Sequence, residues 1–337
     1  MTNPLDRFAF PVLIADIGGT NARFAVVESA TAPFRDLGRT PTADHPDPLA
    51  AIRDFALPRA GCRPKTAILA LAAAIEGDVI PFTNCPWVVE PQRIVAELDF
   101  DEVVAINDFE AQALALPSLS GPDLAPIGGG TMRPGATMAV IGPGTGLGVA
   151  VLVHARGLWI PMPGEGGHVT LAPRGAREEA IWHEIERRHG RVSAETIIAG
   201  PGLVRLHAAM AALAGHPEPA LDAARITASA EAGDGLASEA LDIFVAALGR
   251  LAGDLALTVL PHGGVFIAGG IPPRILQRLR AGSFRAGFED KAPFEELMAG
   301  IATHVVVHPL PAFVGLAALA RHPEIHAVDL ERRRWRG

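Results

Sequence analysis

Short apolar runs broken by glycine recur along this chain, and polar residues cluster at their ends. The stretch LIADIGGTNARFAVV, Leu13–Val27, shows the plan: an apolar run reaching Asp16, a Gly-Gly-Thr-Asn turn, then a second apolar run. Val12–Ala15 and Phe24–Val27 read as two strands joined by that turn. Thr66–Ile75 (TAILALAAAI) is a small-residue run of strand length, and Glu102–Asp108 (EVVAIND) is another strand. The latter runs into FEAQALALP, helical until Pro117 stops it. Residues 118–136, rich in Gly, Pro and Ser, read as a connection between domains.

A second strand–turn–strand, MAVIGPGTGLGVAVLV (Met138–Val153), repeats the opening plan as a loose internal duplication. A glycine-rich loop, MPGEGGHVTLAP, follows, with helical segments at Glu178–His189, Gly202–Leu213 and Ser238–Leu260. GGVFIAGGI (Gly263–Ile271) is a strand meeting a Gly-Gly turn, and PPRILQRLR after it is helical. A last strand, HVVVHP, leads into the helical AFVGLAALAR. Strands alternating with helices predict an α/β fold with mostly parallel pairing.

Composition narrows the partners. The chain has 337 residues, enough for two domains, with 49% apolar and 20% charged residues. A net charge of -8 argues against a nucleic-acid groove or an anionic membrane as partner. No apolar run reaches the about 18 residues of a membrane span. The start MTNPLDRFAF lacks a basic segment followed by a long apolar one. Cys62 and Cys85 are too few for a disulfide framework or a four-cysteine zinc site. The expected location is therefore the cytoplasm. RRRWR, Arg332–Arg336, reads as a solvated C-terminal tail rather than a basic patch.

The three glycine turns carry the candidate chemistry. A hairpin alone explains glycines between strands, but a carboxylate ending an apolar strand is costly to bury without a partner. A bound metal or a polyanion would supply one. Gly18 and Gly19 leave backbone N–H groups open to phosphate, Thr20 adds a hydroxyl, and Asp16 would hold Mg²⁺ through water. Gly144, Thr145 and Gly146 repeat this chemistry in the second half, and Gly269 and Gly270 close a third turn. Arg23 would either approach phosphate or make a surface ion pair. Neither G-x-x-x-x-G-K-[ST] nor a G-x-G-x-x-G after the first strand is present.

ADIGGTNAR, INDF, GPGTGLG, PGEGGH, GPGL and GGVFIAGGI resemble, in that order, the motifs of proteobacterial-type glucokinases, within the actin, hexokinase and Hsp70 superfamily. The resemblance covers about residue 12 to residue 320. It implies two ribonuclease-H-like (actin-like ATPase) domains with an interdomain cleft: residues 1–118 plus 311–337, and residues 119–310. The last helix would return to the N-terminal domain. Mg-ATP would be the donor, glucose the acceptor, and a homodimer the assembly. Glucose 6-phosphate and ADP would be the products, at the first step of glucose catabolism. The loop after His168 has no cysteine, which sets aside the zinc-bearing, DNA-binding relatives.

The resemblance also assigns residues. Asp108 would take the proton of the sugar 6-hydroxyl, although an aspartate there also suits a helix N-cap. Asn107, Glu165, His168, Glu195 and Asn84 would bind sugar hydroxyls. Asn21, with Asp16, Gly18, Gly19, Thr20 and Arg23, would belong to the nucleotide side. Other readings stay open at this point: another hexose such as fructose or mannose, polyphosphate as donor, a sugar sensor without catalysis, or an actin- or Hsp70-like ATPase that hydrolyses nucleotide without sugar.

Overall fold

A computed structural model describes residues 7–82, 85–217 and 221–337. Val12–Ile17, buried along most of its length, is a central strand of a six-stranded sheet. The sheet order is Arg334–Arg336, Glu102–Asn107, Thr66–Leu71, Val12–Ile17, Asn21–Val27, Phe34–Pro41. Glu102–Asn107, Thr66–Leu71 and Val12–Ile17 run parallel. Parallel strands are covered on both faces, which is why these three read as continuous apolar runs. The remaining pairs are antiparallel. The sheet is thus mixed rather than mostly parallel, because strands joined by a short turn pair antiparallel. One face packs on a core that includes Phe24, Ile52 and Trp87.

The second sheet has the order Leu158–Gly164, Leu147–Ala155, Met138–Pro143, Val265–Ile267, Thr303–Val306, Leu124–Gly128. Met138–Pro143, Val265–Ile267 and Thr303–Val306 run parallel, and Leu124–Gly128 is antiparallel at the edge. In each sheet the order is third, second, first, fourth and fifth strand, plus one edge strand from elsewhere in the chain. The faint repeat in the sequence is therefore a duplicated fold, a two-domain ribonuclease-H-like, actin-like ATPase architecture.

Two units separate by their internal contacts. One runs to Leu119 and takes in Leu152–Pro163 and His308–Gly337; the other holds Ser120–Val151 and Gly164–Val307. Leu152–Pro163, expected in the large domain, groups with the first unit. There Trp159 bridges to His326, and its carbonyl accepts from the Ala327 N–H at 2.8 Å. Helix Pro311–Arg321 packs on helix Asp108–Ala115 in the same unit. Gly315 lies so close to the Ala111 carbonyl that any Cβ there would collide with it.

The C-terminal basic run is not a solvated tail. Arg334–Arg336 is an edge strand, antiparallel to Glu102–Val104, and Trp335 is buried with its Nε1 donating to Asp78 Oδ1 at 2.7 Å. Arg334 Nε lies 2.6 Å from Oε2 of the buried Glu102. A buried carboxylate needs a cation, and the basic run supplies one. Among the described residues, no helix is long and apolar enough to cross a membrane.

Candidate functional site

The first glycine turn follows the strand that carries Asp16. The Gly18 N–H donates to the Asn21 carbonyl at 3.0 Å and closes it. Neither Gly18 nor Gly19 takes a positive φ, and a Cβ on Gly18 would meet nothing closer than the Asn21 oxygen at 3.9 Å. The hairpin itself therefore does not account for these glycines; bare backbone beside the turn does. Thr42, which the sequence reading missed, anchors the turn from one side. Its hydroxyl donates to the Gly19 carbonyl at 2.9 Å, and its N–H donates to the Thr20 carbonyl at 3.0 Å. In a trans peptide the N–H points opposite the carbonyl, so the Thr20 N–H is aimed away from Thr42.

Asp16 sits directly opposite Arg23 on the hairpin. Burial pushes the Asp16 carboxyl above its ordinary range, and Arg23 opposes the shift. A cation at this carboxylate would offset the same desolvation. Among the described residues no three His, Cys, Asp or Glu gather to cage a metal. One carboxylate with water and phosphate suits Mg²⁺, which keeps much of its hydration shell, and Asp16 fits that donor set.

The strand Glu102–Asn107 ends where helix Asp108–Ala115 begins. Asn107, not Asp108, is the N-cap. Its Oδ1 accepts from the N–H groups of Phe109 at 2.9 Å and Glu110 at 3.3 Å. The Asn107 Nδ2 donates to the Ala73 carbonyl at 3.4 Å. Asp108 is the first helical residue, half-buried, with Oδ1 accepting from the Phe109 N–H at 3.0 Å. That bond ties its carboxylate to the first turn that the Asn107 cap closes. Asp16 and Asp108 also share one end of one sheet. Asp16 lies near the C-terminal end of one parallel strand and Asp108 directly follows another, with Thr66–Leu71 between them, so the two strands are about 10 Å apart across the sheet.

In the second unit, Gly144, Thr145 and Gly270 line a cavity of about 830 Å³ with Pro201, Val204, Arg205, Ile271 and Arg274. A Cβ on Gly144 or Gly270 would meet nothing within 4 Å, so both leave backbone bare towards open space. Gly269 serves the fold instead: its φ is +89°, and a Cβ would fall 2.5 Å from the Pro143 carbonyl. The Gly200 N–H donates to the Gly144 carbonyl at 2.8 Å, holding the turn against helix Gly200–Leu213. Apolar walls, bare glycine backbone and two arginines suit a flat ring bearing a phosphate chain. Arg205 and Arg274, and Asp222 that lines the same cavity, carry no motif signal, and the sequence reading missed them.

Three sugar candidates meet around Leu147. Glu195 Oε2 accepts the Leu147 N–H at 2.9 Å, and a Cβ on Gly146 would lie 2.7 Å from the same oxygen. Gly167 presses on the Leu147 carbonyl so closely that no side chain fits, and Gly166 packs on Val149. Gly167 makes room for backbone, and Gly146 and Gly166 for the Glu195 and Val149 side chains. The resulting loop exposes Glu165 and His168, whose Oε2 and Nε2 are 3.8 Å apart. Asn84 lies outside the described residues.

Gly167→Ala tests the loop. The added methyl must push it off Leu147, at a cost of about 1–3 kcal/mol in stability. KM for the sugar is expected to rise about tenfold, the equivalent of about 1.4 kcal/mol of binding, while KM for nucleotide stays constant. Steady-state kinetics on both substrates checks this.

The family model described as Glucokinase matches residues 13–323. The chain is 48% identical over 327 residues to a protein of Mesorhizobium japonicum named glucokinase, covering 97% of this chain and 96% of that protein. A crystal structure of glucokinase from an Antarctic psychrotroph matches with a TM-score of 0.81 at 34% identity, over 94% of this chain and all of that one. A ROK family glucokinase from Streptomyces griseus, solved with glucose and AMPPNP, shares the fold at 20% identity with a TM-score of 0.63, over 93% of this chain and 99% of that one.

Proposed function

The chain belongs to the glucokinase family, and on that premise we propose how its residues carry a phosphoryl group from ATP to the 6-hydroxyl of glucose. As a sugar kinase of this family it phosphorylates glucose. The observation that carries the residue assignment is the pairing of Asp16 and Asp108 at one end of one sheet. The first acid ends the strand before a bare glycine turn, and the second opens a helix whose cap holds it in place.

In this reading Asp108 accepts the proton of the 6-hydroxyl as the sugar oxygen attacks the γ-phosphorus. The bond between that phosphorus and the β,γ-bridging oxygen breaks, and ADP leaves with the electron pair. Backbone at Gly18, Gly19 and Thr20, with Asn21 and Arg23, holds phosphate in the first unit. Gly144, Thr145, Gly146 and Gly270 serve the nucleotide in the second, with Gly269 setting the backbone of the third turn. Asp16 would hold Mg²⁺ through water, and that ion supplies positive charge to the phosphates. Asn107, Glu165, His168, Glu195 and Asn84 recognise the sugar hydroxyls. Carboxylates and amides suit a neutral polyol, since an anionic acceptor would call for basic side chains. ATP as donor is supported by the AMPPNP-bound Streptomyces griseus neighbour. A cytoplasmic homodimer serving the first step of glucose catabolism completes the reading.

Product analysis tests the assignment. With ATP, Mg²⁺ and uniformly ¹³C-labelled glucose, phosphorus coupling is expected at carbon 6. Coupling at another carbon, or faster turnover of fructose, mannose or galactose, would overturn the assigned acceptor.

A further inference from the structure

We propose that Glu110 and Arg333 form a positioning pair for Asp108, by which the C-terminal segment sets the first turn of the helix that carries the base. The proposal rests on the reading of Asp108 as that base.

Glu110 is fully buried, two residues beyond Asp108. Its Oε2 accepts from Arg333 Nη1 at 2.6 Å and from the Asn107 N–H at 3.4 Å. It is the reciprocal half of the capping box in which Asn107 accepts the Glu110 N–H. Arg333 is held at four points, one of them its N–H donating to the Leu330 carbonyl at 3.1 Å. Its Nε donates to the Asp329 carbonyl at 2.6 Å, and its own carbonyl accepts from the Ala105 N–H at 3.0 Å. One residue therefore grips the strand that ends at Asn107 through its backbone, and the helix that starts at Asp108 through its side chain.

The charge on Glu110 is more than the cap requires. A glutamine at the third helical position closes a capping box without burying an ion. The buried acid is costly, and its Oε1 has no hydrogen-bond partner among the described residues. Burial pushes its carboxyl upward, Arg333 pulls it back, and Asp329 adds to the upward push. The other packed elements bring little charge. Helix Pro311–Arg321 has only Arg321, which donates to the Ala32 carbonyl; Thr66–Leu71 has none; Glu102 is paired with Arg334. Arg333 is thus the cation that favours the ionised form of Glu110 and tightens the cap.

A rotation of the first helical turn moves the Asp108 carboxylate relative to the hydroxyl it must meet, while Asn107 stays tied to the Ala73 carbonyl through its Nδ2 and the sugar-binding groups of the second unit are untouched. Loss of the pair is therefore read in kcat rather than in KM. Without Arg333, Glu110 takes up a proton at a higher pH, and the protonated carboxyl is a weaker acceptor for the Asn107 N–H.

The test compares the full-length chain with Arg333→Met, Arg333→Lys, Glu110→Gln and Asp108→Asn, using glucose and Mg-ATP. Arg333→Met is expected to lower kcat by roughly ten- to a hundredfold, with KM for both substrates within about threefold. The acid limb of its kcat profile is expected to move to higher pH. Arg333→Lys recovers part of the rate, and adding Glu110→Gln to Arg333→Met removes the shift of the acid limb. If Arg333→Met does not fold, Glu110→Gln carries the test through a fall in kcat at constant KM. A lowered urea midpoint with unchanged kcat and pH profile would mean a purely structural pair and overturn the proposal. Full turnover by Asp108→Asn would instead remove the reading of the base, a separate failure.

Discussion

Asp108→Asn is expected to lower kcat by about 10²–10⁴-fold, the usual worth of a positioned general base. The structure separates this loss from any loss of fold. The N-cap is Asn107, so the replacement leaves both cap hydrogen bonds in place. An asparagine oxygen can accept the Phe109 N–H as the Asp108 Oδ1 does at 3.0 Å. What stability remains at stake is the favourable charge in the first turn, about 0.3–1 kcal/mol. The paired measurement is kcat with saturating glucose and ATP, beside a urea midpoint. A large fall in kcat with a nearly constant midpoint is the expected pattern. A variant that keeps its rate would place the base elsewhere.

Asp16→Asn is expected to act in opposite directions on activity and stability. The Asp16 carboxyl is pushed above its ordinary range because burial disfavours its charge more than Arg23 favours it. For an acid whose folded pKa is raised, stability is fully present below the unfolded pKa and is lost as pH rises through the folded one. Ionisation of Asp16 therefore puts a destabilising charge at this position in the ligand-free protein. Asparagine removes it, so the ligand-free variant is expected to melt higher at pH 7 and to lack that part of the wild-type's decline between acid and neutral pH. Turnover is expected to fall by two orders of magnitude or more, since phosphate charge then loses its cation site (about 10²–10³-fold for one lost electrostatic partner). Thermal melts across pH without ligand, beside kcat with Mg-ATP, test both halves. A variant that is less stable at neutral pH would show that Arg23 outweighs burial.

Much of this was legible in order along the chain because glycine turns between apolar runs leave a strong mark. The hairpin around Asp16 and its counterpart at Gly142–Gly148 stand out by pattern, and the matching strand order of the two sheets is the structural form of that repeat. Pairing direction was not legible, since an apolar run looks the same whichever way its neighbour points. RRRWR misled for a related reason: only the fold shows that its partners are Glu102 and Glu110, more than two hundred residues earlier.

The site shows the same division. Asp16, Asp108 and the glycines announce themselves through residue type and position at strand ends. The role of Asn107 as cap depends on a one-residue difference in where the strand stops. Thr42 leaves no signal, because an ordinary threonine far from the turn becomes its anchor only after the hairpin closes. Glu195 is visible as an acid but not as the acceptor of the Leu147 N–H, a contact between residues 48 apart.

The most direct measurement is ADP release from Mg-ATP by the same protein sample with and without saturating glucose. The account predicts release that depends on glucose and yields one glucose 6-phosphate per ADP. Equal release in the absence of sugar would contradict it, leaving a nucleotide hydrolase on the same fold.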